Sequence, residues 1–280
     1  MPIKRYKPTT PGRRGASVLA SLSAGIQDVP HLLSGPNPKA AGRNNTGRIT
    51  VRHQGGGAKR AYREIGFREQ IKDVPARVAG IQYDPNRTAA VALLHYKNGQ
   101  KAYMLAVKDL EVGDIVETSR SRALAIRPGN RMAVKHIPAG MLISSIELSP
   151  EKGTQVVRSA GSSATVLSVE DVYVLVKLPS GEVRKISCDA LATVGQVSNA
   201  EWNLVRLGKA GRTRLRGIRP RVRGKAMNPV DHPHGGGEGG SPIGLTRPKT
   251  PWGKPALGVP TRRAHRSSDA LIVRKRKKRK

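Results

Sequence analysis

The feature that most constrains this chain is where its charge lies. Residues 1–60 carry 11 basic side chains and one acidic, residues 61–200 carry 18 and 14, and residues 201–280 carry 22 and four. Two strongly basic arms therefore flank a nearly balanced centre. Like charges at that density repel, so the arms take a fixed shape only against a polyanion, whereas the centre is free to bury a core. The total, +32 over 280 residues, points to nucleic acid before any motif is considered.

Few large rings are present to fill a core: one Phe, two Trp and six Tyr. Any core is therefore small and aliphatic. Between Tyr62 and Leu191 the sequence runs in short β-rich segments, RVAGIQYD, AAVALLHY, KAYMLAV and DIVETS, then MLISSIEL, ATVLSV, VYVLVKL and EVRKIS. Turn chemistry separates them at Asp84-Pro85-Asn86, Asn98-Gly99, Pro128-Gly129-Asn130, Pro138-Ala139-Gly140 and Ser180-Gly181. The stretch from Arg120 to Pro138 has no strong strand pattern and divides the segments into two groups of four.

An all-β centre of two small barrels in tandem follows, because closed barrels remove exposed edges without needing large cores. In VYVLVKLPSGEVRKIS, alternation puts Tyr173, Leu175 and Lys177 on one face and Val172, Val174, Val176 and Leu178 on the other. Beyond it, NAEWNLVRLG reads as a short helix with Asn199 as N-cap and Gly208 as stop. The expected organisation is a basic extension over 1–60, barrels over 61–127 and 128–200, and a basic glycine-rich extension over 201–280.

Cys188 is the one cysteine. It excludes an internal disulfide framework and cannot by itself make a thiolate zinc site, and a reducing, cytosolic setting is expected. There is neither a run of about 18 apolar residues nor a basic amphipathic helix, so no membrane partner is expected. The start, MPIKRYKPTTPGRR, lacks an apolar stretch and does not read as a secretory signal.

The arms carry KRYKPTTPGRR, GPNPKAAGRNNTGR and HQGGGAKR at one end and GRTRLRGIRPRVRGKAMNPV and IVRKRKKRK at the other. The first arm shows no sustained period and reads as irregular chain, disordered when alone. In the second a basic residue stands at almost every second position, lining one face of a strand or tracking phosphates in extended chain. RNA is favoured over DNA because the arms are long and glycine-rich and hold no zinc-finger, basic-zipper or recognition-helix pattern. Fully extended, 80 residues reach about 250 Å at about 3.1 Å per residue, enough to enter a large folded RNA.

The expected RNA-binding residues are Arg43, Arg48, Arg52, His53, Lys59, Arg60, Lys209, Arg212, Arg214, Arg216, Arg219, Arg221, Arg223, Lys225, Asn228, His232, His234, Gly235, Gly236 and Gly237.

MNPVDHPHGGGEGG, from Met227 to Gly240, crowds histidines and carboxylates into a glycine loop. His232 and His234 with Asp231 or Glu238 form one possible zinc set, and His232 is a possible general base. Pro233 between the two histidines and the flexing glycines make poor ligand geometry, and nothing in the sequence supplies a nucleophile or an orienting partner. The lysine and hydroxyl residue of a phosphate-binding loop are missing too. The reading preferred is close packing against RNA: glycines without Cβ remove bulk, and the imidazoles hydrogen-bond or stack. No enzyme, cofactor or metal is expected, with a metal-dependent enzyme using His232, His234 and Asp231 as the alternative.

NNTGRITVRHQGGGAKR, SNAEWNLVRLGKAGRTRLRGIRPRVRG and AMNPVDHPHGGGEGG resemble the universal L-two family of large-subunit ribosomal proteins, in its bacterial form. The resemblance implies an oligonucleotide-binding-fold barrel, then an SH3-like barrel, with extensions running into large-subunit ribosomal RNA. It implies a structural constituent of a cytoplasmic ribosome that supports subunit association, tRNA positioning and the surroundings of the RNA-based peptidyl-transferase centre. The implied partners are that RNA, neighbouring ribosomal proteins and the small subunit at the intersubunit interface. His232 matches a histidine proposed in the family to take part in peptide-bond formation; because that chemistry is RNA-based, the resemblance implies a supporting structural role for it. After the shared glycines the tail has its own local sequence, although TPWGKPALG still resembles the family pattern.

Overall fold

The computed structural model describes residues 3–20, 24–25, 29–68, 71–263 and 265–276. The last four residues of IVRKRKKRK, 277–280, lie outside the described residues. The chain forms two compact units: Met1–Pro38, Lys59–Ala210 and Ser268–Lys280 make one, and Lys39–Ala58 with Gly211–Ser267 makes the other.

In the first unit the N-terminal segment holds short paired strands where the sequence shows no period. Strand β1 (Ile3–Arg5) pairs with β2 (Ser17–Leu19) around helix α1 (Pro11–Arg14), β3 (Ala24–Gly25) follows, and β4 (Ser34–Pro36) pairs with β5 (Ala61–Arg63). The reason is non-local. Ser17 N–H donates to the Arg206 carbonyl at 2.8 Å, and Arg206 N–H donates to Ser17 Oγ at 2.9 Å. Strands of two or three residues fixed by such distant partners leave no periodicity to read.

The first central sheet joins β3, β6 (Ala76–Gln82), β7 (Val91–Tyr96) and β8 (Lys101–Leu105) in that order, with β9 (Ile115–Val116) on β6. Its core is two-sided. Ala92 and Leu94 of β7 pack with Val78, Ala106, Leu110 and Val116, while Val91 and Leu93 pack with Ile65, Tyr103, Leu105 and Val197. A strand buried on both faces is apolar at every position, which is why AAVALLHY does not alternate. The β7–β8 turn closes on Gly99 at φ +82°, as Asn98-Gly99 leads one to expect.

The second sheet has eight strands in the order β10 (Thr118–Ser119), β11 (Arg131–Ala133), β16 (Leu191–Val194), β12 (Leu142–Ser144), β13 (Ala164–Val169), β14 (Tyr173–Lys177), β15 (Val183–Ser187) and β17 (Ile272–Arg274). It is antiparallel except between β10 and β11. Val174 and Val176 face the core with Ile143, Ile146, Val166, Ile186 and Met132, an aliphatic set. The mostly β architecture in two β groups is as the sequence leads one to expect.

Three local expectations are corrected. The segment DIVETS is split at Glu117, its first half pairing with β6 and its second with β11. The patternless stretch 120–138 contains β11, three residues long and entirely buried, so no alternation marks it. The expected helix after Asn199 is a 3-10 turn over Ala200–Leu204 that ends before Gly208. Asn199 sits at φ +60° with no side-chain cap; its Nδ2 donates instead to the Thr88 carbonyl at 2.8 Å.

Buried charge in this unit is paired within it. Glu147 accepts from Arg120 Nη2 at 3.2 Å and from the Leu191 N–H at 3.1 Å, and lies 3.7 Å from the Arg131 guanidinium. Arg131 also donates to the Ser145 carbonyl at 2.5 Å. Buried charges persist only with such partners.

Candidate nucleic-acid interface

The unit of Lys39–Ala58 and Gly211–Ser267 takes one piece from each basic arm. Its 77 positions hold 17 Lys and Arg against two acids. The two pieces are laced by backbone hydrogen bonds: Arg219 N–H to the His53 carbonyl at 3.0 Å, Gly55 N–H to Gly217 at 2.9 Å, and Ala58 N–H to Leu215 at 2.9 Å. Gln54 and Ile218 form an antiparallel bridge. His53 is bent to φ +64° where the pieces cross. A Cβ on Gly57, at φ +85°, would stand 2.9 Å from the Gly217 nitrogen and the Leu215 carbonyl, so the glycines of HQGGG permit this close lacing.

Around that seam the basic residues point outward. Arg43, Arg48, Arg52, Arg216, Arg219, Arg221 and Arg223 are exposed. Arg43 and Arg48 stand on a loop wound by Asn44, whose Oδ1 accepts from Thr46 N–H at 3.0 Å, Thr46 Oγ1 at 2.7 Å and Arg48 N–H at 3.0 Å. Arg212 and Arg214 lie on the short helix α2 (Ala210–Leu215) and are half-buried, so the basic alternation of GRTRLRG is not the face of a strand. Lys59, Arg60 and Lys209 belong to the other unit, where Arg60 donates to the Pro85 carbonyl at 3.1 Å.

The histidine loop is a compact winding of chain. Asn228 turns its carbonyl inward to accept from the N–H groups of Asp231 at 3.0 Å and His232 at 3.2 Å. Gly235 N–H donates to the His232 carbonyl at 2.9 Å, and Gly236 N–H to that of Met227 at 3.2 Å. His232, 7% exposed, is the loop's buried centre. Its ring lies on Gly224, where a Cβ would come within 2.5 Å of it. A Cβ on Gly235 would collide with the carbonyls of Met227 and Asn228, and one on Gly236, at φ +94°, would stand 2.8 Å from Pro229 Cγ. The first two glycines of HPHGGGEGG therefore make room for the loop's own carbonyls and the Pro229 ring, where the sequence suggests room for RNA. Lys225 Nζ reaches the Ser241 carbonyl at 3.5 Å.

Hydrogen bonds fix the state of both imidazoles. His232 Nδ1 accepts the His234 N–H at 3.1 Å, and His234 Nε2 accepts the Lys249 N–H at 2.8 Å. A nitrogen that accepts carries no proton, so the ring N–H lies on Nε2 of His232 and on Nδ1 of His234. Burial, the neighbouring His234 and the Arg52 charge hold His232 below its ordinary value of 6.5. The rings stand 4.6 Å apart, tilted by 58°. In this arrangement the lone pair that a metal ligand or general base must offer is already engaged on each ring by a backbone N–H. Among the described residues no three His, Cys, Asp or Glu side chains cluster as a metal site would need.

Two contributors escape sequence reasoning. Gly224 carries no local signal, since its need for smallness comes from a ring eight positions away. Trp252, in TPWGKPALG, is not among the residues expected from sequence; it is 72% exposed, with the Arg52 guanidinium 5.1 Å from its ring centroid. A tryptophan set between proline and glycine in the basic turn sequence TPWGK is the signal that could have marked it.

Compared with known protein families, residues 127–253 match the model of the C-terminal domain of Ribosomal Proteins L2. Residues 31–118 match the model of the RNA-binding N-terminal domain of the same proteins. The two matches cover β6 to β9 of the first sheet, β11 to β16 of the second and the whole histidine loop.

Proposed function

This chain belongs to the ribosomal protein L2 family, and from that premise we propose that the unit of Lys39–Ala58 and Gly211–Ser267 is its main grip on large-subunit ribosomal RNA. Family membership makes it an RNA-binding structural protein of the large ribosomal subunit and not an enzyme. The observation that carries the proposal is the pairing of 17 basic against two acidic side chains with a unit that buries one residue among those described. Such a surface is made for phosphate: each neutralised phosphate releases condensed counterions, adding about 0.9 to the salt slope on a duplex.

In this reading Arg43, Arg48, Arg52, Arg212, Arg214, Arg216, Arg219, Arg221, Arg223 and Lys225 meet phosphates. Asn228, His53, His232, His234 and the Gly235–Gly237 backbone shape the surface, and Lys59, Arg60 and Lys209, in the other unit, are RNA contacts of their own. The barrels, over 61–127 and 128–200, are of oligonucleotide-binding and SH3-like kind, between extensions over 1–60 and 201–280. The protein, of bacterial type, supports subunit association, tRNA positioning and the environment of the RNA-based peptidyl-transferase centre. Its partners are that RNA, neighbouring ribosomal proteins and the small subunit.

Gly236→Val tests the proposal: it strains the loop by a β-branched residue at positive φ without touching a charge. Large subunits assembled with this variant are expected to retain less of the protein in a sucrose gradient at moderate salt. Retention equal to the unaltered protein counts against the loop as part of the grip.

A further inference from the structure

Resting on the RNA-binding reading above, we propose that Trp252 is a stacking site for one unpaired RNA base, built by the two arms together and aimed by the histidine loop. Thr250, Pro251, Trp252 and Gly253 form a turn, with Gly253 N–H donating to the Thr250 carbonyl at 2.9 Å. Pro251 fixes φ at the first corner, which places Trp252 at the second. The turn caps a short hairpin, closed by Thr250 N–H to Lys254 at 2.7 Å, by Ala256 N–H to Pro248 at 2.8 Å and by the Lys249–Pro255 bridge.

Three facts separate this tryptophan from an ordinary exposed ring. The hairpin is tied at its base to His234 Nε2 through the Lys249 N–H, so the ring is carried on a fixed stem. One face of the ring is occupied by the Arg52 guanidinium from the other arm, while 72% of the residue stays open to solvent. The surrounding unit is strongly cationic. A large ring backed by a guanidinium, in a cationic setting, suits a π-face that arrives attached to phosphates, which an unpaired nucleotide offers and a duplex does not. His234 is in this view a positioning residue for Trp252.

The test uses the full-length protein, with single-stranded oligoadenylate and an RNA duplex of equal length as probes, binding being read by fluorescence anisotropy of the labelled RNA. Trp252→Ala is expected to weaken oligoadenylate binding roughly 5- to 150-fold, the range seen for base–aromatic stacking, and to change duplex binding less than about twofold. Trp252→Phe, which keeps an aromatic face, is expected to restore most of the preference. His234→Ala should lower the preference with Trp252 intact. An equal loss for single strand and duplex overturns the proposal, because the ring would then act only by supporting the charged surface. Oligoadenylate binding unchanged in Trp252→Ala also overturns it, and leaves a protein neighbour as the cover for this ring. Failure of the unaltered protein to bind either RNA overturns the RNA-binding reading itself.

Discussion

In the sheet unit, Ile143, Val166, Val174, Val176 and Ile186 are sealed from solvent by one another, whereas across Lys39–Ala58 and Gly211–Ser267 the one buried residue among those described is His232. The sheets are held by apolar area removed from water, at roughly 25 cal/mol per Å². The basic unit is held by backbone hydrogen bonds, each contributing roughly 0.5–1.5 kcal/mol net, against an ordering cost of roughly 1–2 kcal/mol per residue. An excess of 15 positive charges opposes that compactness, so a polyanion is expected to stabilise this unit more than the sheets. One chain thus contains a part held by an apolar core and a part held by backbone hydrogen bonds beneath a cationic surface.

Core truncation is the sharpest way to break that contrast. Ile143→Ala is expected to destabilise the free protein by about 2–5 kcal/mol, read from urea denaturation. Val222→Ala, at an exposed position of the basic unit, is expected to shift it by less than about 0.5 kcal/mol. Similar losses at the two sites would mean that the basic unit has an energetic core of its own.

Charge removal reverses the pattern. Changing Arg219, Arg221 and Arg223 together to Gln is expected to lower the slope of log affinity against log salt by about 3 on ribosomal RNA, about 1 for each phosphate no longer neutralised. The urea midpoint should not move. An unchanged slope would show that these exposed guanidinium groups do not meet phosphate.

A smaller effect is expected where packing inside the basic unit is tight. Gly224→Ala puts a methyl group against the His232 ring, an overpacking worth roughly 1–3 kcal/mol locally. Hydrogen exchange of the Gly235 and Gly236 amides should accelerate while global unfolding stays put. Exchange at the unaltered rate would mean that the loop does not close on that ring.

The smallest effect is one of pH. Because the folded loop holds His232 below 6.5, the unfolded loop binds the proton first as pH falls. The contribution of His232 is therefore complete above about 6.5 and is lost as pH falls towards the folded value, with no matching change in the two sheets. Nuclear magnetic resonance of the His232 ring and of the Gly235 amide checks this; titration of His232 above 6.5 would contradict it.

Much of the sheet unit was legible because alternation and turn residues are local: VYVLVKLPSGEVRKIS is a hairpin in the structure with Val174 and Val176 inward. What escaped was short or shared, such as β11 and the split of DIVETS between two sheets, since two or three residues display no period. In the basic unit the charged residues were plain in sequence, but not their grouping. Lys59, Arg60 and Lys209 look like their neighbours in sequence yet belong to the other unit.

The sequence by itself determined that this chain has an aliphatic β centre and two cationic arms, because charge and alternation are properties of the residues in order. It also determined the family, through HPHGGGEGG and its flanks. Only the tertiary structure decided that a piece of each arm makes one unit, seamed from His53–Arg219 to Ala58–Leu215. It alone decided that His232 rests on Gly224 and that His234 ties down the stem of Trp252. The physical reason is distance along the chain: a hydrogen bond between residues some 160 positions apart, or a glycine kept small for a ring eight positions away, leaves no mark on the residues beside it.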